Sequence, residues 1–440
     1  MGHLVARGHE LTPSPIDADV LVVNTCSFID PAKKESVDTI LEMAEYKKSG
    51  RAQRLIVAGC LVERYRDDIC KNIPEVDAVL GTGQWHDIVH AARHVLAGVP
   101  ERMVRTDAPG GALDPDAPRA LSTPRHLAYL KISEGCDHRC TFCIIPKLRG
   151  DQKSRTIRDL VAEASALAAR GVKEINLIGQ DTTGWGADLP GKPELADLLA
   201  ELDRVEGLTW IRVQYTYPRL WSDRLIETWA RAKRIVPYVD MPLQHIAADM
   251  LRTMARGMTA RDTRALVRRI KSGIPGVAFR TNFIVGFPGE TDEHFAELER
   301  YLEEEPFDHV VVFNYEREPD TPAWEMVPRV PLPSRRHRRA RLLATQQRLS
   351  AERLRRRIGH RVTVMIDGPT GPRDKSGGSG QYAARTSGSA WEVHGGVAVQ
   401  GEHLEPGNLV PVRVTGSAAY DLFARVDRND NLLPLVKGPA

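Results

Sequence analysis

Half of the six cysteines in this 440-residue sequence fall in one short stretch, "EGCDHRCTFCIIP", residues 134–146. Cys136, Cys140 and Cys143 are spaced C-x3-C-x2-C and separated by polar Asp137, His138, Arg139 and Thr141. Cysteines that serve only as small core residues are usually scattered, so this clustering points to ligands gathered at one place. A disulfide framework fits badly: the N-terminus has no signal-peptide character, no apolar run approaches about 18 residues, and cysteine is too sparse. Zinc asks for four ligands, usually as two pairs, and His138 is too close in the chain to close a tetrahedron easily. A cubane iron–sulfur cluster held by three cysteines leaves its fourth iron open to an outside ligand. The spacing favours the cluster, with zinc or a structural role as the alternatives.

Two more cysteines occupy parallel settings. Cys26 ends the apolar run "VLVVNTC", and Cys60 ends "LIVAGC". Adjacent parallel strands would present both at one sheet edge, as a second metal site would require; a pair of buried structural cysteines is the alternative. Cys70 lies inside a helical stretch beside Ile69 and reads as a core residue.

The elements that must hold these residues follow from pattern. With 42% hydrophobic and 27% charged residues, the chain has an ordinary globular composition, and a net charge of +3 argues for no polyanion by itself. Residues 1–99 alternate apolar strands with helices, which predicts a small parallel α/β domain. Residues 100–125, including "GGALDPDAPRALSTP", read as a Pro/Gly-rich linker. Residues 126–333 give about six further strand–helix repeats, predicting a partial (β/α) TIM-like barrel with its chemistry at the strands' C-terminal ends. Residues 334–358 hold ten arginines and one acidic residue. Leu342, Leu343, Leu349 and Leu354 would give that helix an apolar stripe packed on the main domain, with contact to RNA as the second reading. Short alternating strands between Gly-rich turns over 359–427 predict a small antiparallel β-barrel, and 428–440 a tail.

Small or polar residues recur where the barrel loops should lie: Ser154 and Arg155; Gly179, Gln180 and Asp181; Gln244 and His245; Gly286, Pro288, Gly289 and Glu290. Singly, each is ordinary turn chemistry. Collectively, on the face that carries the cysteine loop, they suit a nucleotide-sized cofactor.

The C-x3-C-x2-C spacing, with aromatic Phe142 before its last cysteine, resembles the radical S-adenosylmethionine signature. "NTCSFI", "AGCLVERY", "YLKISEGCDHRCTFCIIPKLRG", "IGQDTT", "LQH" and "TNFIVGFPGET" extend the resemblance over nearly the whole chain, to the radical S-adenosylmethionine methylthiotransferase family. That resemblance implies a flavodoxin-like domain, a radical S-adenosylmethionine barrel and a TRAM β-barrel. It also implies two 4Fe–4S clusters and S-adenosylmethionine. Cys136, Cys140 and Cys143 would hold the first cluster, with Phe142, Ser154, Arg155, Gly179, Gln180, Asp181 and Gln244 around the cofactor. Arg155 would fork onto the methionine carboxylate. Cys26 and Cys60 would be two of three ligands of the auxiliary, sulfur-delivering cluster.

"YLKISEGC" and "IGQDTT" resemble the branch that modifies the β-carbon of an aspartate in ribosomal small-subunit protein S-twelve. A transfer-RNA branch acting on isopentenyladenosine is the alternative, and a non-catalytic iron–sulfur or RNA-binding module is the alternative of a different class. Residues 359–426 carry six Lys/Arg and six Asp/Glu, and this neutrality fits a protein substrate better than an RNA backbone. The expected partners are the ribosomal protein or small subunit, an electron donor such as flavodoxin or ferredoxin, and a sulfide donor. The expected setting is a cytoplasmic monomer without membrane contact. Relative to the family pattern, a first strand and a first auxiliary cysteine precede the segment like "LVARGHEL". Met1 falls inside the helix before that segment, so a truncated first domain and a labile or missing auxiliary cluster are expected.

Overall fold

The computed structural model describes residues 1–99, 101–106, 114, 117–370 and 380–427. Part of the expected linker, and the whole of the expected tail 428–440, lie outside the described residues. The chain forms two compact units, the first made of Met1–Ser122, Ser133–Arg155 and Glu316–Trp324.

In the first unit, β1 (Val20–Thr25), β2 (Arg54–Gly59), β3 (Ala78–Leu80) and β4 (Met103–Arg105) form a parallel sheet in sequence order. Its register runs from Val20 opposite Arg54 to Thr25 opposite Gly59. The helices α1 (Asp30–Ser49), α2 (Cys60–Asn72) and α3 (Ile88–Leu96) alternate with these strands, as the sequence pattern requires. Asp30 and Pro31 open α1 and Lys47 and Lys48 close it, in the order that the helix dipole favours. Ile40, Leu55, Val57, Val62 and Val79 fill the core between sheet and helices. One expectation needs correction: residues 103–105 lie within the stretch read as linker, yet they complete the sheet. Three residues with only Met103 buried are too short to carry a strand pattern.

The second unit is Thr123–Ile132, Thr156–Tyr315 and Glu325–Ala440. Six strands lie in sequence order: β5 (Leu127–Lys131), β6 (Glu174–Ile178), β7 (Trp210–Val213), β8 (Tyr238–Asp240), β9 (Ala278–Val285) and β10 (His309–Asn314). They form two three-stranded parallel sheets, with an isolated bridge from Ile211 to Ile235 between them. The result is the open (β/α) barrel expected from the sequence. Helices follow from loops that supply an N-cap: Thr156, Ser222, Thr259 and Thr291 each accept a hydrogen bond from a first-turn N–H.

The arginine-rich helix spans Leu332–Arg355, and its buried residues are Arg338, Leu342, Gln346 and Ser350 rather than a leucine stripe. β10 ends the strand order and leaves main-chain carbonyls to be satisfied. Arg339 donates to Val312 O at 2.9 Å, Arg353 to Phe307 O and Asp308 O at 2.8 Å, and Gln346 to Phe307 O at 3.3 Å. The helix therefore covers a polar edge, which explains its arginines. β11 (Arg361–Pro369), β12 (Gly380–Arg385), β13 (Val397–Gly401), β14 (Leu409–Ser417) and β15 (Leu422–Val426) close a barrel in the order β11-β12-β13-β15-β14. All its pairs are antiparallel except β13 with β15, a detail that alternation alone did not specify.

Candidate functional site

The cysteine loop is closed at its base by an antiparallel ladder pairing Ser133 with Ser154 and Glu134 with Lys153. Inside it, Cys136 N donates to Gly150 O at 3.2 Å, and Gln152 N donates to Asp137 Oδ1 at 2.9 Å. A tight turn brings Cys143 N to Cys140 O at 3.0 Å. Cys136 and Cys140 are buried, while Phe142 and Cys143 are half-buried. A short helix, α4 (Ile145–Arg149), follows the last cysteine. Ala323 N reaches Thr141 O at 2.9 Å, so the segment 316–324 braces the loop.

In the same unit, the β1–β2 register ends at Thr25 opposite Gly59, which leaves Cys26 and Cys60 side by side. Cys60 opens α2 rather than ending the strand, because Gly59 at φ 105° turns the chain directly into the helix. Ser27 Oγ donates to Cys60 O at 3.0 Å, and Ser36 Oγ bonds both the N–H and the carbonyl of Cys26. Cys26 is exposed and Cys60 buried. Arg149 links Cys60 to Glu134, at the start of the cysteine loop. Its Nη2 donates to Cys60 Sγ at 3.2 Å and its Nη1 to Glu134 Oε1 at 2.8 Å. Burial pushes the Cys60 thiol up from its ordinary range, and the Arg149 guanidinium opposes that push. Cys70 packs, partly buried, against the core of this unit.

In the second unit, Gly179, Gln180 and Asp181 follow β6, and Gln244 follows β8, so all lie at C-terminal strand ends of the barrel. Asp181 Oδ1 accepts from Thr183 N at 2.9 Å and from Thr183 Oγ1 at 2.7 Å, which pins that loop. Gln244 is held at φ 71° between Asn282 and Ile284, a backbone state that costs energy for a residue with a side chain. Its Oε1 is buried without a hydrogen-bond partner among the described residues. His245 is fully buried, with Nδ1 accepting from Ala247 N at 3.0 Å; it serves its own turn. Glu290 is likewise committed, accepting from Gly286 N and pairing with Arg338 at 3.1 Å.

A model of the Radical SAM superfamily matches residues 130–302, one of the TRAM domain matches 358–426, and one of the uncharacterized protein family UPF0004 matches 1–81. A relative from Anaeromyxobacter sp. (strain K), named ribosomal protein uS12 methylthiotransferase RimO, is 46% identical over 98% of this chain and 90% of its own length. One of the same name from Solibacter usitatus is 47% identical over 96% and 90%. The chain belongs to the ribosomal protein uS12 methylthiotransferase family. It is accordingly a radical S-adenosylmethionine transferase, a class that uses an iron–sulfur cluster and S-adenosylmethionine. A structure of the radical S-adenosylmethionine methyltransferase TsrM from Kitasatospora setae shares the fold, with TM-score 0.53 and 16% identity over 70% of this chain and 66% of that one.

The residues present fit the group that this family carries. Three sulfurs on one pinned loop, two of them buried, are suitable donors for iron. Among the described residues no three His, Cys, Asp or Glu side chains converge on one ion; thiolates that each bind a different iron of a cubane stand farther apart than the ligands of one ion. The first unit brings together Cys136, Cys140, Cys143, Phe142, Ser154, Arg155, Cys26 and Cys60, whereas Gly179, Gln180, Asp181 and Gln244 belong to the second. Sequence reasoning passed over Arg149, Glu134 and Glu318. Arg149 and Glu134 flank the cysteine motif, but nothing local indicates that a guanidinium there meets Cys60, 89 positions away in the chain.

Proposed function

We propose that this chain adds a methylthio group to the β-carbon of an aspartate in ribosomal protein uS12, the substrate in its relatives' name. The observation that carries the reading is the sharing of one compact unit by the three-cysteine loop and the strand-end pair Cys26 and Cys60. Cys136, Cys140 and Cys143 hold a 4Fe–4S cluster, and Cys26 and Cys60 contribute to a second, sulfur-delivering one. Phe142, Ser154, Arg155, Gly179, Gln180, Asp181 and Gln244 orient S-adenosylmethionine. When bound, these groups supply an electron, a deoxyadenosyl radical that takes a hydrogen atom, and sulfur and methyl for the product. Such a cofactor is needed because the hydrogen is far too weakly acidic for side-chain bases.

The chain's own residues bind, orient and shield. Burial of Cys136 and Cys140 keeps water from their sulfurs, and the ladder at the loop base fixes their spacing. The six Lys/Arg and six Asp/Glu of residues 359–426 give a neutral C-terminal barrel, which supports a protein substrate over transfer RNA. We read the first domain as running past residue 99 to take in β4 (Met103–Arg105), followed by the barrel 126–333, the arginine-rich helix 334–358 and the TRAM barrel 359–427. No helix among the described residues is long and apolar enough to cross a membrane. A cytoplasmic monomer served by a flavodoxin or ferredoxin and a sulfide donor completes the proposal.

Two measurements test it. Anaerobically reconstituted, reduced protein should release 5′-deoxyadenosine from S-adenosylmethionine, and Cys140→Ala should not. Mass spectrometry of a deletion strain should find uS12 without its methylthio group. Loss of a modified nucleoside from transfer RNA, with uS12 unchanged, would move the chain to the other branch.

A further inference from the structure

The guanidinium of Arg149 bridges Cys60 and Glu134, the residue two positions before Cys136. It stands at the end of α4, six residues after Cys143. One nitrogen lies 3.2 Å from Cys60 Sγ and the other 2.8 Å from Glu134 Oε1. Glu134 is two residues before Cys136 and its side chain is 8% exposed, against 28% for Arg149. The apolar side chains of Leu148, on the same short helix, and Ile144, just before it, pack on Cys60. Thr82 Oγ1 donates to Leu148 O at 3.1 Å and holds that helix in place.

A guanidinium is a planar fork whose N–H directions are fixed relative to one another. Seating one arm on an enclosed carboxylate therefore sets the direction of the other. Here the other arm is delivered to sulfur. Outer partners of this kind orient a metal ligand and tune the metal. For iron–sulfur clusters, hydrogen bonds to sulfur and nearby positive charge help set the reduction potential.

We infer that Arg149 is a positioning residue, which Glu134 aims at Cys60 so that the sulfur of the second cluster is held beside the three-cysteine loop. This rests on the two-cluster reading under Proposed function. The N–H···S bond and the positive charge favour the more reduced, more negative state of the second cluster. Its loss should make that cluster harder to reduce and easier to lose.

The test uses the full chain, reconstituted anaerobically with iron and sulfide, with bound iron counted and the clusters followed by redox titration with electron paramagnetic resonance. Cys60→Ser first marks which iron, beyond the roughly four held by the three-cysteine loop, belongs to the second cluster. In Arg149→Gln, the midpoint potential of that Cys60-dependent signal should move to more negative values and its iron content should fall. Arg149→Lys should restore part of both. If Arg149→Gln does not fold by circular dichroism, Arg149→Met, which removes both the charge and the N–H donors, should move the potential in the same direction. An unchanged potential and iron content in a folded variant would overturn the role of Arg149 and leave the two-cluster reading standing. If Cys60→Ser loses no iron, the two-cluster reading fails, and this inference fails with it.

Discussion

The imidazoles of His309 and His394 lie face to face, with ring centroids 3.7 Å apart and planes 14° from parallel. His309 Nε2 contacts Gly388 O at 2.8 Å, and His394 Nδ1 accepts from Ala390 N at 2.9 Å. Both bonds suit neutral rings. Enclosure away from water lowers His309 from 6.5 to about 4, and it holds His394 lower still, with the facing His309, Arg280 and Arg212 adding to the effect. An unfolded chain takes up protons at these rings below about pH 6.5, whereas the folded one resists. Stability is therefore present above that pH and is lost as pH falls toward 4. Between pH 7.5 and 5 the loss at His309 should be about 1 kcal/mol or more. Urea unfolding should show a smaller pH dependence for His394→Phe than for the wild-type chain.

Glu174 sits between two buried guanidinium groups. Arg212 Nε donates to its Oε1 at 3.0 Å and Arg385 Nη1 to its Oε2 at 2.7 Å, with both Glu174 and Arg212 side chains 0% exposed. Arg385 also holds Asp367, which contacts His126 at 3.2 Å. Removing Arg385 leaves Asp367 without its main counter-charge and Glu174 with Arg212 alone. Arg385→Met should cost about 3–5 kcal/mol in denaturant unfolding, and adding Asp367→Asn should recover part of it. Lys34→Ala, which removes an exposed pair with Asp38, should be indistinguishable from wild type.

What was legible in the sequence was what lies close together in the chain. The C-x3-C-x2-C spacing and the two strands ending at cysteines are local patterns, and the structure places Cys26 beside Cys60 as parallel pairing requires. The arginine-rich helix was legible as a helix, but its buried face was not. Arg338, Gln346 and Arg353 face inward because of the main-chain carbonyls of Glu290, Phe307 and Asp308 and the carboxylates of Glu290 and Asp292, none of which leaves a mark at helical spacing. Strand β4 failed for the opposite reason, since three residues offer too few positions to show any period. Arg149 and Glu318 matter through partners distant in sequence, and single-chain reading has no access to those.

Glu318 ties the segment 316–324 to helices α1 and α2 of the first unit. Its carboxylate takes Lys33 Nζ of α1 at 2.9 Å and Arg64 of α2, with its own side chain 4% exposed. The same segment bonds the cysteine loop through Ala323 and Thr141. Glu318→Gln keeps the shape and leaves two enclosed cations with only the exposed carboxylates of Asp30 and Asp320 as counter-charges. It should destabilise this unit by about 2–4 kcal/mol. Hydrogen exchange should register faster opening of α1, α2 and the loop, with the barrel strands of the second unit unaffected. Uniform protection across the first unit in the variant would show that the carboxylate is not holding it.

The backbone at Gly135 is the narrowest constraint on the three-cysteine loop. Its φ is 81°, and a Cβ there would lie 2.2 Å from Asp151 O and 2.7 Å from Gly150 O. Neither oxygen can retreat cheaply: Gly150 O accepts from Cys136 N, and Asp151 lies between that bond and the ladder pairing Ser133 with Ser154. Gly135→Ala therefore meets a clash with main chain as well as the ordinary cost of positive φ, which is about 1 kcal/mol. The substitution should open the loop base, abolish iron binding by Cys136, Cys140 and Cys143, and end 5′-deoxyadenosine formation. Gly171→Ala separates the two costs. Gly171 has φ 93° with nothing within 4 Å of the added carbon, so that variant carries the conformational penalty without the clash. It should lose about 1 kcal/mol of stability and keep its iron. If both variants lose iron equally, general destabilisation rather than the contact at Gly135 accounts for the loss.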